Sequence, residues 1–402
     1  MSWKETCPMN ERLKFIADIQ RGEYDMSKVC RMYGVSRKTG YKWWQRYLEA
    51  GVDGLKDRSR APLAHPNVVD LAASGLLIEA RKRHPTWGPH KLLAWLKPRY
   101  PACAFPVAST VGEILKRQGL ATSRRRVRRS PLCAQPLSGL IQPNAVWSAD
   151  FKGQFRTGDG TWCYPFTLSD GFSRYLLCCR ALTATRAALV RPCLERAFRQ
   201  YGLPLAIRTD NGPPFASTSL GGLSALSVWW IKLGIFPERI APGHPEQNGR
   251  HERLHRTLKQ ETAKPPHQHL SAQQRAFDRF RAEYNEERPH QALQQRTPSQ
   301  FYAASSRPYP TRLAEITYPS GFEVRYVRSN GEIKWQGNLL YLSEALIGEP
   351  VGLCQIEETQ WRVYFGTLAL GILDTRKNHV EPITVHGGSL LHNENVLPMC
   401  PV

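Results

Sequence analysis

Three acidic residues of this chain stand where metal-assisted phosphoryl chemistry would place them. Asp150 lies within the apolar run Val146-Trp147-Ser148-Ala149-Asp150-Phe151. A carboxylate in the middle of a strand is disfavoured unless it is paired or bound to a cation. Asp210 stands at the carboxyl end of a short apolar strand, just before Asn211-Gly212. Strand ends of α/β sheets are where ligands bind. Glu252 falls in the first turn of a helix opened by Gly249. Carboxylates from three separate elements can meet at one point and hold Mg²⁺ through oxygen. Two such ions, about 4 Å apart, activate an attacking oxygen and stabilise a leaving one. Each acid also has a purely structural reading. Asp150 could pair with a buried Arg, Asp210 could form a turn, and Glu252 could stabilise a helix dipole. Their conjunction favours the metal.

The helix that carries Glu252 holds two further patterns. Glu252, Arg256 and Lys259 are spaced i, i+4, i+7 and share one face, which puts two cations beside the acids where a phosphate would lie. His251-Glu252-Arg253-Leu254-His255 also matches HExxH, a zinc-hydrolase signature. Arg250, Arg253, Arg256 and Lys259 crowd that stretch and oppose a dication. The helix reads without a strong apolar face, and Leu258 stands where the longer zincin pattern requires Gly. Zinc is therefore the weaker reading. Glu246 is a fallback third acid on the approach to Gly249.

The elements that must position these residues read as a mixed α/β sheet. Strands are predicted over 146–155, 164–168, 175–181, 204–209 and 239–242, and helices over 184–201, 223–233, 249–262 and 270–287. Upstream, 11–50 reads as three short helices, with Gly34-Val35-Ser36 as turn and N-cap before the third. That third helix carries Arg37, Lys38, Thr39 and Lys42 early, which fits a helix-turn-helix entering a DNA major groove. Helices over 71–83, 90–97 and 109–118 form a second small unit with a weaker helix-turn-helix pattern. Arg124-Arg125-Arg126 and the arginines after them fit a segment riding on a phosphate backbone. Alternating strands at 322–327, 335–342, 351–356 and 361–365 predict a small antiparallel β-barrel or sandwich, and the chain from Asn378 on shows no periodicity.

The fold class is thus multidomain: N-terminal all-α helix-turn-helix units, a central α/β core and a C-terminal small β-barrel. The expected segments are 1–60, 61–135, 136–300, 310–376 and a loose tail at 377–402. Charge follows this division. Residues 1–135 carry 26 basic and 11 acidic side chains, a net of +15. Residues 136–299 carry 21 and 13, a net of +8, and residues 300–402 carry 8 and 10, a net of −2. The total of +21 over 402 residues points to a polyphosphate partner, because each neutralised phosphate releases counterions. A 41% hydrophobic content excludes wholesale disorder, and no run of about 18 apolar residues exists to span a membrane. The start lacks a signal-peptide pattern, and the ten cysteines form no CxxC pair. Reduced thiols in a cytoplasm are expected, and a paired-Cys zinc module is not.

Around the acids the chain resembles the DDE-type transposases and retroviral-type integrases of bacterial insertion sequences. The matching strings are Trp147-Ser148-Ala149-Asp150-Phe151, Arg208-Thr209-Asp210-Asn211-Gly212-Pro213-Pro214-Phe215 and His244-Pro245-Glu246-Gln247-Asn248-Gly249-Arg250-His251-Glu252-Arg253. Tyr284-Asn285-Glu286-Glu287-Arg288-Pro289-His290-Gln291-Ala292-Leu293 and Thr297-Pro298-Ser299 also look familial. The resemblance covers about 10–300. It implies a ribonuclease-H-like core with two Mg²⁺ ions (or Mn²⁺) at Asp150, Asp210 and Glu252, and basic residues such as Arg256 and Lys259 on donor DNA. One departure is that 41 residues separate Asp210 from Glu252, where about thirty-five is common in the family. The surplus is placed in the loop 217–222.

The resulting expectation is a transposase. It would bind the terminal repeats of a mobile element and join their ends to target double-stranded DNA as a homo-oligomer, in the bacterial cytoplasm at the nucleoid. The alternative is a DNA-binding regulator derived from such an enzyme, with an idle core.

Overall fold

A computed structural model describes residues 7–59, 69–121, 141–217, 219–240 and 249–383. Arg124, Arg125, Arg126 and Glu246 lie outside the described residues. The chain divides into two compact units, 1–68 and 69–402.

In the first unit, α1 (Pro8–Arg21), α2 (Met26–Met32) and α3 (Arg37–Ala50) pack around Phe15, Ile16, Val29, Cys30 and Leu55. Ser36 caps α3 by accepting from the Thr39 N–H at 3.2 Å. Gly40 is the crossing point of α3 over α2, since a Cβ there would collide with Cys30 Sγ. Arg37, Lys38 and Lys42 are exposed, as the helix-turn-helix reading requires.

The second unit begins with α4 (Leu71–Arg83), α5 (Pro89–Leu96) and α6 (Ala108–Arg117). Leu77, Trp87, Leu92, Leu96 and Val111 form their core. The sheet that follows consists of β1 (Val146–Phe151), β2 (Phe155–Arg156), β3 (Trp162–Asp170), β4 (Leu176–Leu182), β5 (Ala206–Thr209) and β6 (Phe236–Arg239). β3 pairs antiparallel with β1, β2 and β4, and β1, β5 and β6 run parallel. Helices α7 (Ala187–Tyr201) and α8 (Ala225–Lys232) bury Phe198, Trp229 and Trp230 against Trp147, Phe166 and Ile207. Helices α9 (Gly249–Thr262) and α10 (Leu270–Glu286) place Leu254, Leu258, Phe277 and Phe280 on Cys163, Leu176 and Cys179.

β6 lies earlier than the 239–242 expected from sequence. Its residues include Pro237, which an edge strand tolerates, and Glu238, which pairs in register with Arg208. The two side chains form a buried bidentate ion pair, with 2.9 Å contacts from Arg208 Nε and Nη2. Polar residues thus masked a strand that hydrophobic patterning could not find.

The C-terminal strands are β7 (Glu323–Tyr326), β8 (Glu332–Trp335), β9 (Asn338–Tyr341), β10 (Pro350–Glu357), β11 (Gln360–Phe365), β12 (Leu368–Asp374) and β13 (His379–Pro382). They form a five-stranded antiparallel sheet in the order β13-β12-β11-β10-β7 and a separate β8–β9 hairpin. No β7–β13 pairing closes a barrel among the described residues. The 335–342 run turns back at Gln336-Gly337, both at positive φ, so it is a hairpin end and not one strand. β13 shows that ladder pairing orders His379–Pro382, a stretch without sequence periodicity.

This sheet is packed onto the core. Leu223 and Val228 share one cluster with Val327, Val351, Phe365 and Leu370. The loop after Phe215, where the sequence places its extra length, is part of that seat. Ser343 Oγ donates to Ser219 Oγ at 3.0 Å, and Arg239 donates to the carbonyls of Gly221 (2.8 Å) and Gly222 (2.6 Å). Lys232 closes the contact on Glu349 at 2.6 Å.

Candidate active site and metal centre

The parallel pairing of β1 with β5 aligns Val146 with Ala206, Trp147 with Ile207 and Ser148 with Arg208. The last pair lies two residues before Asp150 on β1 and two before Asp210, the residue that follows β5, so both acids stand toward the same end of adjacent parallel strands. The Asp210 carboxyl is half-buried, and burial raises its pKa. Gly212 N–H donates to Asp210 Oδ1 at 3.3 Å, and Asn211 Nδ2 donates to the Ile240 carbonyl at 3.0 Å, so the turn after β5 is tied down. No cationic side chain among the described residues lowers the Asp210 pKa. A carboxylate taken from water without a fixed cation fits a metal ligand.

Thr167 stands opposite Asp150 on β3. Its hydroxyl donates to the Asp150 carbonyl at 3.2 Å, and lies 2.8 Å from His251 Nε2 and 2.7 Å from His255 Nε2. Helix α9 therefore docks on the sheet through its histidines. Its buried face is His251, Leu254, His255, Leu258 and Thr262, spaced i, i+3, i+4, i+7 and i+11. Burial lowers the pKa of His251 to about 4 and of His255 to about 2, so both rings are neutral at pH 7. A helix that reads as lacking an apolar face has one, because neutral imidazoles serve on it.

A face of α9 about a quarter turn round from the buried one carries Glu252, Arg256 and Lys259, all exposed. Lys259 and Lys152, the latter two residues past Asp150, line one small pocket between the β1–β2 turn and α9. Among the described residues, the ligand atoms that lie within 4.8 Å of one another are those of Asp150, His251 and His255. Asp210 and Glu252 stand outside that group.

Several residues that shape the site are not identifiable from sequence patterns. Asn285 of α10 clamps the backbone of Leu176, accepting from its N–H at 2.8 Å and donating to its carbonyl at 3.0 Å. Gln274 does the same for Ala181 N–H (2.8 Å) and the Cys179 carbonyl (3.0 Å). Amide side chains thus satisfy the outer edge of β4, a strand paired on one side only. Arg288 ion-pairs with Glu261 of α9 at 2.6 Å, and Glu261 also accepts from Thr86. His84 bonds Glu283 at 2.8 Å. Asn285 and Arg288 therefore hold α10 and α9 in place.

Comparison with known proteins agrees with this architecture. Integrase core domain models match residues 141–245 and 233–298, a helix-turn-helix domain model matches 11–62, and a homeodomain-like domain model matches 39–115. An insertion element IS407 protein of 31.7 kDa from Burkholderia multivorans is 32% identical over 193 residues, covering 47% of this chain and 67% of that protein. The chain belongs to this insertion-element family. It is a transposase-type enzyme, a polynucleotidyl transferase with an integrase core and helix-turn-helix domains. A 39.2 kDa protein of insertion element IS476 from Xanthomonas euvesicatoria is 26% identical to this transposase, across 75% of the chain and 79% of that protein. The HTLV-2 integrase catalytic core domain in complex with magnesium is 18% identical and covers 40% of the transposase and 99% of itself, with a TM-score of 0.33. Among the described residues no helix is long and apolar enough to cross a membrane.

Proposed function

We propose that this chain binds the terminal repeats of its mobile element and catalyses Mg²⁺-dependent cleavage and strand transfer into target DNA. The observation that supports the reading is the parallel β1–β5 pairing, which ends two residues before Asp150 and two before the half-buried Asp210. Asp150, Asp210 and Glu252 hold two Mg²⁺ ions, with Mn²⁺ as a substitute. Such ions supply activation of an attacking oxygen and charge stabilisation of a leaving one.

The chain's own residues bind and orient the DNA. Arg37, Lys38, Thr39 and Lys42 read the repeat through the first residues of α3, and Arg124, Arg125 and Arg126 follow the phosphate backbone. Arg256 and Lys259 hold phosphates beside the acids. Hydrolysis at the element end frees a 3′-hydroxyl, which then attacks target DNA in line, without a covalent enzyme intermediate. Two ends must be joined, so the enzyme works as a homo-oligomer at the bacterial nucleoid. The C-terminal strands, with their net negative charge, serve assembly rather than DNA binding. The segments at 1–60, 61–135, 136–300 and 310–376 divide these tasks.

Incubation of the full chain with its terminal-repeat duplex tests this reading. Nicking at the repeat end with Mg²⁺, abolished by a chelator, is the expected result. Tight repeat binding with no Mg²⁺-dependent nicking would instead identify a regulator with an idle core.

A further inference from the structure

We infer that the metal seat at Asp150 includes a nitrogen ligand, His255 Nδ1, so that one ion of this enzyme is held by a mixed nitrogen–oxygen set. The inference rests on the metal reading of Asp150 given above and extends it to a residue that the acidic triad leaves out.

The argument starts from the Thr167 hydroxyl, which has one proton and two lone pairs. Its proton goes to the Asp150 carbonyl at 3.2 Å. All three contacts of this hydroxyl are satisfied together only when the two ring nitrogens at 2.8 and 2.7 Å, His251 Nε2 and His255 Nε2, donate to it. A neutral imidazole carries one N–H, so both Nδ1 atoms are left as bare lone pairs. The Ser169 hydroxyl faces His251 Nδ1 at 3.5 Å and can donate to it. His255 Nδ1 faces Asp150 Oδ2 at 3.8 Å. That gap is too long for a hydrogen bond and sets two electron-pair donors against each other. Two ligand atoms each about 2.1 Å from one ion lie about 3.0–3.5 Å apart, so a small side-chain rotation closes the pair on a cation.

The arrangement is built as metal-binding histidines are. The distal ring nitrogen is fixed by a hydrogen bond, which sets the tautomer and aims the other nitrogen at the ion. Thr167 performs that task for His255, and the antiparallel register holds Thr167 opposite Asp150. His251 supports the same hydroxyl from the preceding turn of α9. An imidazole in the set favours Mn²⁺, Co²⁺ or Zn²⁺ over Mg²⁺ more than carboxylates alone do.

The test is pulsed electron paramagnetic resonance on the full chain loaded with Mn²⁺ alone. The expected spectrum shows ¹⁴N coupling to the ion, replaced by the ¹⁵N pattern when the wild-type chain is labelled at histidine. The coupling should vanish in His255→Gln, persist in His251→Gln, and persist in Asp210→Asn. The labelling arm needs no variant, so misfolding cannot imitate the result. Bound Mn²⁺ without nitrogen coupling overturns this inference and leaves the acidic site standing. Coupling that survives His255→Gln and vanishes in His251→Gln overturns it as well. Failure of the wild-type chain to bind Mn²⁺ at all overturns both readings.

Discussion

The two small helical regions, α1–α3 and α4–α6, begin alike in sequence and differ in what their polar residues do. In the first, Arg37, Lys38 and Lys42 stand free of acidic partners among the described residues and face solvent on one helix. In the second, polar groups at the end of α4 and in the turn after it meet acids of the core. His84 stacks on Trp87 at 3.8 Å and bonds Glu283, Arg83 reaches Glu287 at 3.5 Å, and Thr86 bonds Glu261. Glu283 and Glu287 belong to α10 and its cap, and Glu261 to the helix that carries Glu252. One three-helix unit therefore presents cations to solvent. The other braces α9 and α10. A three-helix pattern with a basic flank does not separate these roles; the placement of the acids that meet the cations does.

The largest effect that can break this comparison is loss of the brace. Arg288→Leu leaves Glu261 with its charge in a buried setting, where removing one partner of an ion pair costs about 3–5 kcal/mol. In calorimetry of the full chain, the transition of residues 69–402 should fall while that of the first unit stays. Equal shifts in both would show that the two regions are not distinct in this way. Next comes charge reversal on α3. Arg37→Glu with Lys38→Glu and Lys42→Glu should weaken terminal-repeat binding by about 100-fold or more and flatten its salt dependence. Melting should change little, because these side chains are exposed and only Lys42 meets a ring, that of Trp43 at 5.0 Å. Unaltered binding in gel-shift titrations would return the address-reading role to α4–α6.

The smallest effect is a response to acid confined to the braced unit. Burial, with Lys91 and Arg288 nearby, lowers the His290 pKa to about 3. Its unfolded value is about 6.5. Above pH 6.5 neither state is protonated and the stability is fully present. As pH falls from 6.5 toward 3, the unfolded chain takes a proton that the folded one refuses, and stability drops by up to about 1.4 kcal/mol per pH unit. Melting of the larger unit should therefore fall between pH 7 and pH 5, and His290→Gln should reduce that fall. A shift of the first unit's transition instead would contradict the assignment.

Much of this was legible in the sequence because the signals were local. An Asp inside an apolar strand, an Asp-Asn-Gly turn and a Ser36 cap each announce themselves within a few residues. What was not legible depends on pairing across distance. Asn285 stands in a string that looks familial, yet its task shows only where it meets the Leu176 backbone, 109 positions away. His251 and His255 count as polar by residue type, yet they form the buried face of α9. Thr167 is an ordinary strand residue until the register places it opposite Asp150. β6 escaped because its interior charge is neutralised by Arg208 on the next strand.

The central claim is that Asp150 and its neighbours form the metal-dependent joining site. Asp150→Asn preserves shape and removes a charged ligand. Assayed with pre-cut element ends and target DNA in Mg²⁺, this variant should lose strand transfer by at least about 10³-fold, with end affinity nearly intact. Undiminished Mg²⁺-dependent joining by Asp150→Asn would contradict the account.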